Sequence, residues 1–285
     1  MKNIFRLLVF FLLIIQGFVN TAGAASYLYF PLVLKPFNLY LPLIFKADCI
    51  PFDLVFLSFG DSITQGYMDS NLCRYPACGY PIRLYERLVS GSNKRFGFYN
   101  VGIGGERTTG GLNRFLDTIT NPQIYDLCPC SSCSGGNFYP EFCHSIQSEV
   151  VIIMEGMNDL GDWAAKGAPS FDIIEDNLRT MVFTAQQYGK QVIIATINPV
   201  VPLNDHRSQQ AQGVDAFNLR IWQIVHDFQI PVADIYSAFL NYPDWENNLI
   251  STELSEDGIH PNDLGFEVMA DVFYQTILSL TPLSR

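Results

Sequence analysis

From residue 54 onward the chain alternates short apolar runs with longer stretches of helical period. The apolar runs predict strands at Leu54–Ser58, Phe98–Val101, Val150–Met154, Val192–Thr196 and Val232–Ile235. They are apolar almost throughout instead of alternating, the pattern of strands covered on both faces. Helices are predicted between them, near 80–90, 110–118, 171–188, 209–228 and 263–280. In the fourth, Val214, Phe217, Ile221, Ile224, Val225 and Phe228 form one stripe; in the third, Ile174, Leu178, Met181, Val182 and Ala185 do the same. Stripes at this spacing are the core-facing sides of helices. Strand and helix in alternation predict an α/β fold, a doubly wound three-layer α/β/α sandwich around a five-stranded parallel sheet. Its ligand site should lie at the carboxyl ends of the strands.

The region before residue 54 has a different pattern. Lys2 and Arg6 precede a short apolar core, Leu7 to Ile15, and Ala22-Gly23-Ala24 follows with small residues. This is the layout of a signal peptide over 1–25, cleaved near Ala24-Ala25, which implies a secreted, extracellular or cell-envelope protein. The apolar run is short for an uncleaved membrane anchor. Residues 26–50 hold a near-repeat, Phe30-Pro31-Leu32-Val33-Leu34-Lys35 and Leu41-Pro42-Leu43-Ile44-Phe45-Lys46. Its prolines and lysines exclude a membrane helix, so no transmembrane span is expected in the mature chain. An extended linker is expected, packed on the domain that follows or on a cell-envelope partner. That domain occupies 51–285.

Composition narrows the function classes. Of 285 residues 48% are hydrophobic, enough for a substantial core. The formal charge is −11, from 28 acidic and 17 basic residues. Losing Lys2 and Arg6 takes it to −13. Such a balance argues against nucleic acid as a partner, because phosphate backbones need concentrated Lys and Arg.

Export also sets how the cysteines are read. All seven, Cys49, Cys73, Cys78, Cys128, Cys130, Cys133 and Cys143, follow the cleavage site and are disulfide candidates. Seven is odd, so one thiol at least is free or pairs outside the chain. Four crowd into a Cys-rich insertion at about 121–147, which is long for a connection in this fold and is expected to be a stapled loop. Zinc is the alternative there, with His144 nearby, but the cluster lacks paired C-x-x-C spacing. No metal and no organic cofactor is expected.

The candidate chemistry starts at Phe59-Gly60-Asp61-Ser62-Ile63-Thr64-Gln65-Gly66, directly after the first strand. A serine where a strand gives way to a helix presents its hydroxyl at the edge of the sheet, beside unpaired N–H groups. Three more blocks follow in order: Asn100-Val101-Gly102-Ile103-Gly104-Gly105-Glu106-Arg107-Thr108, then Gly156-Met157-Asn158-Asp159, then Asp257-Gly258-Ile259-His260-Pro261. A nucleophilic serine needs a base, an orienter for the base and donors for the oxyanion. His260 is the best base, with Asp257 three residues earlier to fix its tautomer and Pro261 starting the last helix. His206 and His226 are expected to be an exposed loop residue and a helix residue beside Asp227.

In these four blocks the chain resembles the SGNH hydrolases, the GDSL esterase/lipase family, over about 54–275. The resemblance implies the flavodoxin-like SGNH hydrolase fold and a carboxylic ester hydrolase with Ser62, Asp257 and His260 as catalytic residues. It also implies an oxyanion hole made of the Ser62 and Gly105 backbone N–H groups and the Asn158 amide. Asp61 and Asp159 are expected to support the site structurally. An α/β-hydrolase elbow would need G-x-S-x-G, but Thr64 stands two residues after Ser62. A dinucleotide-binding G-x-G-x-x-G starting at Gly102 fails because residue 107 is Arg. The expected activity is that of a secreted serine esterase acting on short acyl groups, acetyl groups on carbohydrate among them. The alternatives are a lipase or phospholipase type of acyl hydrolase acting on lipid esters, and an inactive secreted binding module on the same fold.

Overall fold

The structure is a computed structural model and describes residues 31–34, 39–42, 53–70, 78–120, 148–251 and 257–280. The Cys-rich insertion, the signal-peptide segment and six of the seven cysteines lie outside the described residues. The exception, Cys78, is buried.

The near-repeat supplies strands β1 (Pro31–Leu34) and β2 (Leu39–Pro42), which pair antiparallel with Pro31 opposite Pro42. Within the extended linker expected here, the two halves of the near-repeat pair with each other. The apolar segments favour extended backbone, and each proline sits at a strand end, where a missing N–H costs no central ladder bond.

The sheet of the main unit runs β3 (Leu54–Gly60), β4 (Phe96–Asn100), β5 (Val150–Met154), β6 (Gln191–Ala195) and β7 (Val232–Ala233). Its order is β4-β3-β5-β6-β7, and every pairing is parallel. All five residues of β5 are buried, as a central strand covered on both faces requires. β7 is shorter than its apolar run because the Asp234 side chain accepts from the Ser237 N–H and starts a helix instead.

Among the described residues the helices are α1 (Ser62–Gln65), α2 (Gly79–Ser90), α3 (Thr108–Thr120), α4 (Met157–Lys166), α5 (Phe171–Gln187), α6 (Asp205–Phe228), α7 (Ile235–Leu240), α8 (Trp245–Asn248) and α9 (Asp263–Leu280). They lie on both sides of the sheet; α2 packs with α9, α3 with α5, and α4 and α5 with α6. The stripes expected on the third and fourth predicted helices are buried, with Ile174, Leu178, Met181 and Val182 inward on α5, and Val214, Phe217, Ile221 and Ile224 on α6. Each such side chain contributes about 1.5–3 kcal/mol when removed from water. The last helix begins at Asp263, not at Pro261. Asn262 Oδ1 accepts from the Gly265 N–H, while Pro261 forms an antiparallel bridge with Ile250. Among the described residues, no helix is long and apolar enough to cross a membrane.

The chain leaves β3 for β4 on one side and later returns to β5 on the other. The carboxyl end of β3 is therefore the switch point at which a doubly wound sheet opens a crevice. Ser62 stands two residues beyond that end.

Candidate active site

β3 delivers Ser62 through a turn with no spare room. A Cβ on Gly60 would come within 2.1 Å of Thr64 Oγ1 and 2.3 Å of the Met154 carbonyl oxygen, so only glycine lets β3 lie against β5 here. The chain then enters α1, with Asp61 Oδ1 accepting from the Ile63 N–H at 2.9 Å. This cap leaves Ser62 at the first position of the helix, buried but for its edge.

Ser62 Oγ lies 2.8 Å from His260 Nε2. On the far side of the ring, His260 Nδ1 donates to Asp257 Oδ1 at 2.7 Å. The same oxygen accepts from the backbone N–H groups of His260 at 3.2 Å and Ile259 at 3.3 Å. Burial pushes the Asp257 carboxyl up, but the bond from His260, its positive charge and the backbone donors outweigh that and hold the group below the usual Asp value. Ser62, Asp257 and His260 thus form one hydrogen-bonded chain, although 198 residues separate the serine from the histidine.

The turn carrying His260 is fastened on both sides. Asn198 Nδ2 donates to the Ile259 carbonyl at 2.9 Å, and the Val201 N–H donates to the Gly258 carbonyl at 2.8 Å. The Ser251 N–H donates to the His260 carbonyl at 2.8 Å. Asn198 and Val201, in the segment after β6, were missed by sequence reasoning, which had no signal for bonds between distant loops. Tyr67, whose ring lies against His260, was missed for the same reason.

The expected oxyanion donors are Ser62, Gly105 and Asn158. Among the described residues, neither the Ser62 nor the Gly105 N–H is taken by another group. Gly105 has φ 75°, and a Cβ added there would meet nothing within 4 Å, so its glycine serves the left-handed backbone, not close packing. Asn158, at the start of α4, is more committed than expected. Its Nδ2 donates to the Glu106 carbonyl at 2.9 Å and to Asp61 Oδ2 at 3.3 Å. Asp159 accepts from the Thr108 N–H and Oγ1, both at 2.9 Å, which ties the Asn158 block to the start of α3. Asp61 and Asp159 thus both fasten loops of the site.

Burial is the main influence on Asp61, whose carboxyl is pushed up to about 7 against the pull of the Ile63 N–H and His260. Asp159 is likewise raised by burial. Below them lie Glu106, ion-paired with Arg114, and the buried Glu155, neither of which sequence reasoning selected. A signal for Glu155 existed, since it is an acid immediately after the wholly apolar Val150–Met154.

The other histidines stand apart from this chain of bonds. His206 is exposed in the first turn of α6, with its Nε2 2.9 Å from the Gly161 carbonyl. His226 is exposed beside Asp227, and His144 lies outside the described residues. Among the described residues, no group of three or more His, Cys, Asp or Glu is placed to hold a metal ion.

A family model described as the GDSL-like Lipase/Acylhydrolase family matches residues 58–268. No curated relative matches the chain. Solved structures share the fold. A lipase/acylhydrolase from Enterococcus faecalis is similar with TM-score 0.57 and 20% identity, over 80% of this chain and 96% of that one. An acetyl xylan esterase is similar with TM-score 0.56 and 21% identity, over 79% and 100% of the two chains. A GDSL-like lipase from Bacteroides thetaiotaomicron is similar with TM-score 0.52 and 18% identity, over 80% and 89%.

Proposed function

Since the chain belongs to the GDSL-like lipase/acylhydrolase family, we propose that it is an exported serine esterase with Ser62 as nucleophile. The observation that carries the proposal is the bonded chain from Ser62 Oγ through His260 to Asp257, at 2.8 and 2.7 Å. In the reaction, Ser62 Oγ attacks the ester carbonyl carbon as its proton passes to His260 Nε2. Asp257 holds the opposite ring nitrogen, fixing the tautomer and stabilising the imidazolium that forms. The negative charge on the carbonyl oxygen falls to the N–H groups of Ser62 and Gly105 and to the Asn158 amide. For Asn158, the longer 3.3 Å contact with Asp61 is the one a substrate oxygen would compete for. The tetrahedral intermediate then collapses. The alcohol leaves with the proton from His260, and water activated by the same ring releases the acid.

The substrate we propose is an ester of a short acyl group, acetyl on carbohydrate among them. The signal-peptide layout supports a substrate outside the cell, and the shared fold with an acetyl xylan esterase agrees with this class. Export also places the cysteines where disulfides form.

The test is hydrolysis of p-nitrophenyl esters from acetate to palmitate by the mature chain, with Ser62→Ala alongside. Turnover on the short esters that falls about a millionfold in Ser62→Ala supports the reading. A profile peaking at long chains would replace it with a lipase-type site. A folded chain inactive at every length would favour a binding module.

A further inference from the structure

Two carboxyl groups meet beneath the oxyanion loops. Glu106 follows Gly105, and its carboxylate is gripped by the Arg114 guanidinium, with Nε donating to Oε1 at 2.9 Å and Nη2 bonded to Oε2. Arg114 also donates from Nη1 to the Val101 carbonyl at 2.8 Å and lies over the Phe59 ring at 3.9 Å. Glu155 ends β5, just before Gly156-Met157-Asn158. It is 2% exposed, and among the described residues no donor reaches either of its carboxyl oxygens. A Cβ placed on Gly111 would lie 3.4 Å from Glu106 Oε2 and 3.4 Å from Glu155 Oε1, so both side chains converge on one point of α3.

Two adjacent carboxylates, Glu155 buried and Glu106 mostly so, served by a single cation cannot both be ionised at acceptable cost. Arg114 is spent on Glu106. The proton therefore resides on Glu155, where it satisfies the group that no donor reaches and gives it a hydrogen bond to offer the Glu106 carboxylate. We propose that Glu155 is a positioning residue of the active site, a protonated acid whose hydrogen bond to Glu106 holds Gly105 and Asn158 in one frame. The connection is short in both directions. Glu106 is covalently next to Gly105 and its carbonyl accepts from Asn158 Nδ2 at 2.9 Å, while Glu155 stands three residues before Asn158. Glu155 is raised by burial first, and then by the charges of Asp61, Glu106 and Asp159.

This inference rests on the esterase reading given above and adds a role to it. The groups facing Glu155 are Asp61 from the β3 turn, Glu106 and Arg114 from the second block and α3, Asp159 from α4 and the Tyr80 phenol from α2. None of these except Arg114 is cationic, and Arg114 is engaged by Glu106, so the surroundings of Glu155 oppose its ionisation. Once ionised, its charge would repel Glu106 and loosen the oxyanion loops.

The test uses Glu155→Gln and Glu155→Leu in the mature chain, with kcat, KM and thermal stability followed against pH. A Gln amide still donates to Glu106, so Glu155→Gln retains most of the turnover and lacks the fall in kcat that ionisation of Glu155 is expected to give the parent as pH rises. Glu155→Leu cannot donate, and its kcat falls about a hundredfold with KM little changed, the scale of an ångström of misplacement. Infrared difference spectra between the parent and Glu155→Gln show the carbonyl band of a protonated carboxylic acid at neutral pH. That readout stands even if Glu155→Leu does not fold or the parent has no esterase activity. The inference is overturned by absence of that band, by Glu155→Gln being as damaged as Glu155→Leu, or by a folded Glu155→Leu with full kcat. A parent without Ser62-dependent turnover would instead overturn the esterase reading.

Discussion

Tyr67 lays its ring against the imidazole of His260, with centroids 4.7 Å apart and planes inclined at 61°, while 49% of the tyrosine remains exposed. An edge-to-face pair of this kind holds the histidine against rotation and leaves an apolar surface beside the serine. Ring contacts are worth about 0.5–1.5 kcal/mol beyond area burial. Tyr67→Ala should therefore lower kcat about 2- to 12-fold, whereas Tyr67→Phe should match the parent. Steady-state kinetics on p-nitrophenyl acetate distinguish the two; equal loss in both would assign the effect to the hydroxyl, not the ring.

Asp257 holds His260 Nδ1 through a single oxygen, Oδ1. An Asn at 257 would keep the size of the side chain but can turn its amide towards the ring, favouring the tautomer that no longer accepts from Ser62. Asp257→Asn should reduce kcat by about 10⁴ with the fold retained. Kinetics together with an unchanged circular dichroism spectrum check this; near-normal turnover would remove Asp257 from the mechanism.

Burial pushes the Asp61 carboxyl up to about 7. In the unfolded chain the same group titrates near its ordinary 3.8, so between these values the native state binds more protons than the unfolded state. Its contribution to stability is fully present below about pH 3.8 and is lost as pH rises through about 7. Asp257 is shifted the opposite way, and its contribution is lost only as pH falls below the ordinary Asp range. The melting temperature should decline from pH 4.5 to 7.5 (a window of about three units spanning the Asp61 shift), and Asp61→Asn should flatten the decline. Calorimetry across this range is the measurement, and an unchanged slope in the variant would assign the decline to other groups.

Arg83 is buried in α2 and bonds Asp69 at 2.6 Å, a carboxylate whose side chain is 1% exposed. It also reaches Glu267 on α9 at 3.0 Å, tying the helix after His260 to the segment after Ser62. Arg83→Met would remove a buried ion-pair partner of Asp69, at a cost of up to about 3–5 kcal/mol. Denaturant unfolding gives the value; a loss under 1 kcal/mol (about the size of an exposed pair) would show that water replaces the arginine.

Export is tested on the chain itself. Secretion should yield a mature N-terminus at Ala25 or Ser26, read by N-terminal sequencing, and an intact Met1 on exported protein would overturn the cleavage.

The local sequence carried the element types and the identity of the four blocks. Continuous apolar runs specify doubly covered strands, and 3.6-residue stripes specify inward helix faces, because both patterns depend only on neighbours along the chain. Thus Val150–Met154 and the α6 stripe from Val214 to Ile224 were legible before any coordinates. So were Ser62 at a strand end and the Asp257–His260 pair, which needs only a three-residue turn. The end of β7 moved because a single capping side chain, Asp234, decides where the next helix starts. The four-residue α1 and the ten-residue α4 escaped notice because neither carries a long enough stripe. What only the tertiary structure decided is which distant groups share space. Asn198 fastening the His260 turn, Asn158 committed to Glu106 and Asp61, Tyr67 against His260, and Glu155 facing Glu106 all join residues from separate strand ends. Nothing in the chain near Glu155 says that Arg114 will be spent on another acid. Parallel strands bring their carboxyl ends together only after the crossovers close, and it is that closure which turns four scattered blocks into one site.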